Sequence, residues 1–230
     1  MKLYSGPLSL FARKIEIALR EKGLAFEREM VPFTQTAGYA PKHPEVVAAN
    51  PKQQVPVLVD QGLVLYDSTV ILEYLEDAYP LPPLYPRTAQ ARARCRLWDV
   101  FADEVMLVPL RALMHRTGPR PADPGQWERA QAAALPAEAL LDTYFAQLDT
   151  ALTGQPFLCG DSPGAADIAI FMAVYYSGRL GGPVPDGHPA LAGWYTRLLA
   201  RPAFQAVVDE IAAADRALSQ PVARRGQARA

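Results

Sequence analysis

The stretch Pro80-Leu81-Pro82-Pro83-Leu84-Tyr85-Pro86 constrains this chain more than any other. Each of its four prolines fixes φ and lacks a backbone donor, so the segment suits neither a helix interior nor a central strand. It reads as a stiff connector. A length of 230 residues allows one or two domains, and the connector selects two. The expected boundaries are a first domain over 1–79, the connector over 80–86, a second domain over 87–220 and a frayed tail over 221–230.

The two sides differ in hydrophobic period. Lys2-Leu3-Tyr4 can form a strand, which Pro7 breaks. Leu10, Phe11, Ile15, Ala18 and Leu19 then recur at the helical spacing, and Gly23 stops the run after the cations Arg20 and Lys22. Residues 26–31 alternate as a strand up to Pro32, and Pro44 opens a short helix over 44–49. Residues 55–66 read as two strands around Asp60-Gln61-Gly62, and residues 69–75 as a helix with Ser68 as its expected N-cap. The order is β-α-β-α-β-β-α. Beyond the connector every segment is helical: 89–116 with a kink expected at Pro109, 126–152 with an interruption expected at Pro136, then 164–180, 191–200 and 203–218.

Composition removes several classes of function. The chain is 50% apolar with a net charge of −1, so overall charge implies neither a nucleic-acid nor an acidic-membrane partner. The longest apolar run, 168–176, is too short to span a bilayer, and the N-terminus carries no signal-like apolar stretch, so the expectation is a cytoplasmic protein. Cys95 and Cys159 match no metal-ligand or Cys-x-x-Cys spacing and read as small buried hydrophobes; no metal is expected. All five lysines fall in the first 52 residues, which is mostly compositional bias.

Three places can carry chemistry. Val55-Pro56 opens a strand with a residue that donates no ladder bond, which suits either an edge-strand proline or a cis bond. Such a turn leaves the N–H and C=O of Val55 free to pair with an extended, peptide-like ligand. Asp67-Ser68 opens a helix, as a plain cap or as an anion site whose carboxylate also holds an ammonium. Ser9 starts the first helix, as a cap or as a hydroxyl that lowers the pKa of a bound thiol. Ser5 and the strand residue Tyr4 are rival hydroxyls. Arg13 and Lys14 read as solvated helix charges. No Gly-x-Ser-x-Gly elbow is present, and His43, His115 and His188 have no recognisable partner, so a serine-hydrolase nucleophile is not indicated.

Taken in order, Tyr4-Ser5-Gly6-Pro7-Leu8-Ser9-Leu10-Phe11-Ala12-Arg13-Lys14, Asn50-Pro51-Lys52-Gln53-Gln54-Val55-Pro56-Val57-Leu58 and Leu65-Tyr66-Asp67-Ser68-Thr69-Val70-Ile71-Leu72 resemble the first domain of cytosolic glutathione transferases. Phe157-Leu158-Cys159-Gly160-Asp161-Ser162-Pro163-Gly164-Ala165-Ala166-Asp167-Ile168 is similar to the family's capping motif in the helical domain, with Asp167 as the buried capping-box residue. The resemblance covers about residues 1–215 and points to a serine-type, theta-, zeta- or tau-like bacterial member. It implies an α/β thioredoxin-like domain followed by an all-α helical bundle, glutathione as co-substrate, a small hydrophobic electrophile, a homodimer and a role in detoxification. By position it implies that Ser9 faces the glutathione sulfur and that Val55 and Pro56 pair with the cysteinyl part. Gln54, with Lys52 or His43, would lie near the glycyl carboxylate, and Asp67 with Ser68 would clamp the γ-glutamyl end. Phe101, Val105, Met106, Arg111 and Tyr175 are the candidates for the second-substrate pocket. The clamp is Asp-Ser where Glu-Ser is usual, and Gly164 replaces the usual Ser or Thr cap. The absence of Cys from Ser9-Leu10-Phe11 argues against cysteine-type members. A binding or regulatory protein without turnover is an alternative on the same fold. So is a glutathione-dependent dehalogenase, ether-cleaving enzyme or isomerase.

Overall fold

Strand β1 (Lys2–Ser5) lies inside a four-stranded sheet of order β2-β1-β3-β4, with β2 (Glu27–Met30), β3 (Val57–Asp60) and β4 (Leu63–Tyr66). β2 runs parallel to β1, whereas β3 and β4 are antiparallel to their neighbours. The inner strands bury Leu3, Tyr4, Val57 and Leu58, while the edge strand β4 leaves Leu63, Val64 and Tyr66 exposed. Helices α1 (Leu10–Glu21), α2 (Pro44–Ala49) and α3 (Ser68–Ala78) complete the β-α-β-α-β-β-α order. The computed structural model describes residues 1–222; the expected tail lies outside the described residues from 223 onward.

Helix α1 departs from an ordinary amphipathic helix. Arg13 and Lys14, expected to be solvated, are buried. For Arg13 the reason is long-range: α9 (Pro202–Leu218), at the far end of the described chain, packs against α1. Arg13 Nη1 donates to Glu16 and to Glu210 of α9, each at 2.8 Å, and Lys14 Nζ lies 6.0 Å from the centroid of Phe11. Arg201 grips Glu21 through Nε and Nη2, the latter at 2.6 Å from Oε2. By contacts the chain forms two units: Met1–Tyr85 with Arg201–Leu218, and Pro86–Ala200 rejoined from Ser219. Helix α9, counted by periodicity with the helical part, therefore packs with the sheet.

The proline-rich stretch also packs with the first unit. Lys22 Nζ donates to the carbonyls of Tyr79 (2.6 Å) and Pro82 (2.9 Å) and pairs with Glu76 at 3.1 Å. The same Glu76 carboxylate accepts from Leu84 N at 2.8 Å, and Leu84 and Tyr85 are buried.

The second unit contains α4 (Ala89–Val100), α5 (Leu107–Leu113), α6 (Pro124–Leu152), α7 (Ala165–Arg179) and α8 (Pro189–Leu199). The irregularity expected at Pro109 lies upstream instead, as a π-helical turn over Phe101–Met106. Pro109 offers no N–H to the carbonyl four residues back, and that carbonyl belongs to Val105, inside the widened turn. Helix α6 runs unbroken through Pro136. Pro136 and Ala132 both face solvent, so the carbonyl that loses its donor can be hydrated. Meanwhile Ala134, Ala137, Leu141, Phe145 and Leu148 hold the opposite face in the core. Helix α7 is buried on nearly every side. Its Asp167 accepts from Gly164 N (2.9 Å), Leu158 N (2.9 Å) and Trp194 Nε1 (2.7 Å). Burial pushes this carboxyl above its ordinary range despite the three donors.

Candidate functional site

Strand register gathers the three sequence motifs. Tyr4 pairs with Val57, and Val57 with Tyr66, so the end of β1, the start of β3 and the end of β4 share one end of the sheet. The loop 6–9, the Val55-Pro56 turn and Asp67-Ser68 all emerge there. Because β2 is parallel to β1, with Ser5 opposite Met30, the segment after β2 arrives at that end too.

It brings Tyr39. A Cβ on Gly6 would lie 2.3 Å from Tyr39 Cε1 and 2.5 Å from its hydroxyl oxygen, so only glycine allows this ring to close over the loop. Ser9 follows as the N-cap of α1, with Oγ accepting from Ala12 N at 3.2 Å and Ser9 N donating to Gly6 O at 3.1 Å. A hydroxyl that accepts in this way still has its own proton to donate. The rivals are engaged elsewhere. Ser5 Oγ donates to the buried Glu16 carboxylate at 2.6 Å. Tyr4 sits in the core with Ala12, Val31, Val46, Val55 and Val57. Its ring meets Lys2 Nζ at 4.7 Å and the His43 ring at 5.0 Å.

The second motif is shaped by Asn50, to which the sequence reading gives no role of its own. Its Oδ1 accepts from Lys52 N at 2.9 Å, an Asx-turn, and its Nδ2 donates to Gln54 O at 2.7 Å. Gln53 takes a positive φ of 52°, and its carbonyl accepts from Lys42 Nζ at 3.0 Å. The loop thus arrives pre-formed at Val55-Pro56, whose peptide bond is cis. The signal for Asn50 was its position two residues before Lys52. Tyr39 left none, because its partner lies far away in sequence.

The third motif differs by one position from expectation. Asp67, not Ser68, is the N-cap of α3: Oδ1 accepts from Thr69 N at 3.1 Å, and Ser68 is the first helical residue, buried. Asp67 has φ 75° and ψ 126°, a sparsely populated conformation that its cap and the flanking β4–α3 packing hold in place. Its second oxygen lies 3.6 Å from Lys52 Nζ, an ion pair open to solvent on both sides that links the second motif to the third.

His43 is engaged on both nitrogens. Nε2 lies 2.7 Å from Glu29, and Nδ1 accepts from Glu45 N at 3.3 Å. Glu29 also meets Lys2 at 2.5 Å; hydrogen bonds from Lys2 and His43 hold its carboxyl below the ordinary range and Lys2 above its own.

The five second-substrate candidates part company. Phe101 and Val105 line a cavity of about 840 Å³ in the helical unit, together with Arg94, Leu97, Trp98, Gln155 and Cys159. Met106 is core, Arg111 is exposed on α5, and Tyr175 stacks with Phe171 and edges Tyr176. No helix among the described residues is long and apolar enough to cross a membrane, and among them no group of three or more His, Cys, Asp or Glu is placed to hold a metal.

A mixed sheet of this order with three motifs at one end, in a chain that also carries a helical unit whose α7 is capped by a buried aspartate, defines a class. The description "Glutathione S-transferase, N-terminal domain" matches residues 3–83, and "Glutathione S-transferase, C-terminal domain" matches residues 101–202. The chain belongs to the glutathione S-transferase family. Glutathione S-transferase 3 of Zea mays is 32% identical over 218 residues, covering 92% of this chain and 94% of that protein. A stringent starvation protein A homolog of Coxiella burnetii is 41% identical over 99 residues, but this covers 42% of the chain and only 44% of that relative. Among solved structures, the theta class glutathione S-transferase of Xanthomonas axonopodis pv. citri, with glutathione bound, superposes with a TM-score of 0.77 at 29% identity, over 90% of this chain and 96% of that one.

Proposed function

We propose that the protein is a serine-type glutathione transferase that conjugates the glutathione thiolate to a small hydrophobic electrophile. The observation that carries this reading is the convergence of Ser9, Val55-Pro56 and Asp67-Ser68 at one end of the sheet, with the Ser5 hydroxyl bonded to Glu16 and Tyr4 packed in the core. Ser9 donates a hydrogen bond to the sulfur while keeping its proton, and the N-terminus of α1 adds its positive field, so the thiol gives its proton to solvent near neutral pH. The backbone of Val55 pairs with the cysteinyl unit. Gln54 and Lys52 border the glycyl carboxylate, with His43 committed to Glu29 and Glu45. Asp67 holds the γ-glutamyl ammonium, and Ser68 with the N-terminus of α3 holds its carboxylate. The thiolate then attacks an electrophilic carbon; the leaving group departs with the bonding pair, or, where the electrophile adds rather than substitutes, a proton from solvent completes the product.

The exposed Leu63, Val64, Tyr66 and Val70 on β4 and α3 give the first unit an apolar face suited to a second copy of the chain, which light scattering tests. A second reading, a glutathione-binding or regulatory protein without turnover, is favoured by the match to the stringent starvation protein A homolog. Retention on immobilised glutathione together with turnover of a generic aryl halide supports the transferase. Retention without turnover across a panel of electrophiles supports the second reading in its glutathione-binding form, and failure to be retained contradicts the transferase and favours a regulatory protein that does not bind glutathione.

A further inference from the structure

Lys52 and Asp67 belong to different motifs of the site and meet at the surface of the first unit. The backbone sets where each one starts. Lys52 N donates to Oδ1 of the buried Asn50 at 2.9 Å, so the root of the lysine is fixed just before the Val55-Pro56 turn. Asp67 caps α3 with φ 75°, and its Oδ1 accepts from Thr69 N at 3.1 Å. One carboxylate oxygen is thus engaged by the helix. The other, Oδ2, lies 3.6 Å from Lys52 Nζ. The two side chains differ in freedom. Asp67 is short and held by its cap, whereas the Lys52 side chain is long, flexible and 65% exposed. Lys52 can move away, and Asp67 cannot follow it without giving up the cap.

This placement bears on any ligand whose ammonium uses Asp67, as in the proposed function, on which the inference rests. The oxygen that the cap leaves over already faces an ammonium, and two ammonium groups at one carboxylate repel each other. We propose that Lys52 is a specificity-determining residue: it competes with the ligand's ammonium for Asp67 and is drawn off by a carboxylate at the ligand's other end. The exchange breaks one ion pair, Lys52 with Asp67. It forms two, the ligand's ammonium with Asp67 and Lys52 with the far carboxylate. A ligand that carries both ends leaves every charge paired. A ligand with the ammonium alone leaves Lys52 displaced and without an anion. Lys42, the other lysine beside this loop, donates to the Gln53 carbonyl at 3.0 Å instead.

The outcome is discrimination for a free carboxylate beyond the cysteinyl unit. Because the Lys52–Asp67 pair is open to solvent it is weak, and displacing it costs a ligand only about two- to fivefold in affinity. The sign of the effect separates competition from simple attraction. A lysine that only attracts anions helps a ligand or leaves it alone. A lysine that competes for Asp67 hinders a ligand that brings the ammonium without the far carboxylate.

The test measures, by titration calorimetry, the binding of glutathione and of its glycyl ethyl ester to the native full chain, to Lys52→Met and to Lys52→Arg. The ester keeps the ammonium, the thiol and the γ-glutamyl carboxylate and lacks only the glycyl charge. Lys52→Met is expected to bind the ester about two- to fivefold more tightly than the native chain does, and glutathione more weakly, so the native preference for glutathione over the ester shrinks. Lys52→Arg keeps the cation and is expected to keep the native order. The proposal is overturned if Lys52→Met binds the ester no more tightly than the native chain, or if it tightens both ligands alike. It is also overturned if Lys52→Arg behaves as Lys52→Met does. In each of these cases the native chain still binds glutathione, and the proposed function stands. A native chain that binds neither ligand overturns the proposed function itself, and this proposal with it.

Discussion

At the scale of single residues, the site depends on small features that sit next to the functional groups. Gly6 is one, since its missing Cβ is what lets Tyr39 cover the loop leading to Ser9. Gly6→Ala is expected to destabilise the protein by about 1–3 kcal/mol through overpacking and to weaken glutathione binding. Adding Tyr39→Ala should recover much of the stability, because the clash is with the ring. Urea denaturation of the single and double variants checks this, and an additive loss would contradict it. Ser9 and Val55-Pro56 were legible as sequence because chain order alone marks them. The preference for Ser9 over Ser5 and Tyr4 came in the sequence from the resemblance alone; that Ser5 donates to Glu16 and Tyr4 lies in the core is visible only in the fold. The one-residue shift of the α3 cap from Ser68 to Asp67 was hidden for a related reason: either side chain can cap, and the positive φ at Asp67 decides.

At the scale of elements, α1, β2 and α9 are tied by one charge cluster. Glu16, fully buried, accepts from Ser5 Oγ, Arg13 and Arg28, and Glu210 of α9 accepts from Arg13, Arg20 and Arg28. Arg13 also donates to the Pro7 carbonyl, in the loop that carries Ser9. Arg13→Met is expected to cost about 3 kcal/mol, the low end for breaking a buried pair, because Arg28 and Ser5 still reach Glu16. Chemical denaturation measures it; a loss under about 1 kcal/mol, typical of an exposed pair, would show that the cluster is not structural. Burial pushes the Glu210 carboxyl up, but hydrogen bonds from Arg28 and Arg13 outweigh it and hold the group below its ordinary range. A depressed carboxyl pKa means that the unfolded chain binds more protons, so this contribution is present above the ordinary glutamate value of about 4.3 and is lost as pH falls through the folded value. Glu210→Gln should lower stability at neutral pH, where the contribution is present, and cost little below the folded value, so that the acid limb of the stability profile flattens. An unchanged acid limb would contradict the assignment. None of this was legible in the sequence, where Arg13 and Lys14 look like solvent-facing charges; only the return of α9 onto α1 gives Arg13 its partner Glu210.

At the scale of the whole molecule, the proline-rich stretch marks the change from mixed to helical structure, as periodicity indicated. Its packing was not legible. Lys22 looked like a cation suited to a helix end, yet it holds the carbonyls of Tyr79 and Pro82 and shares Glu76 with Leu84. The seven elements of the first part were readable because each has its own period and stop signals. The assignment of α9 to the first unit was not, because it depends on contacts that no local pattern records. In the proposed reading this unit lowers the pKa of a bound thiol through Ser9. The direct measurement is the ultraviolet absorbance of bound glutathione thiolate, titrated against pH in the native protein and in Ser9→Ala, with glutathione affinity measured alongside. The account predicts a native midpoint about two units below the free-thiol value of about 8.5, rising towards that value in Ser9→Ala while affinity changes little. The same midpoint in both proteins would contradict it.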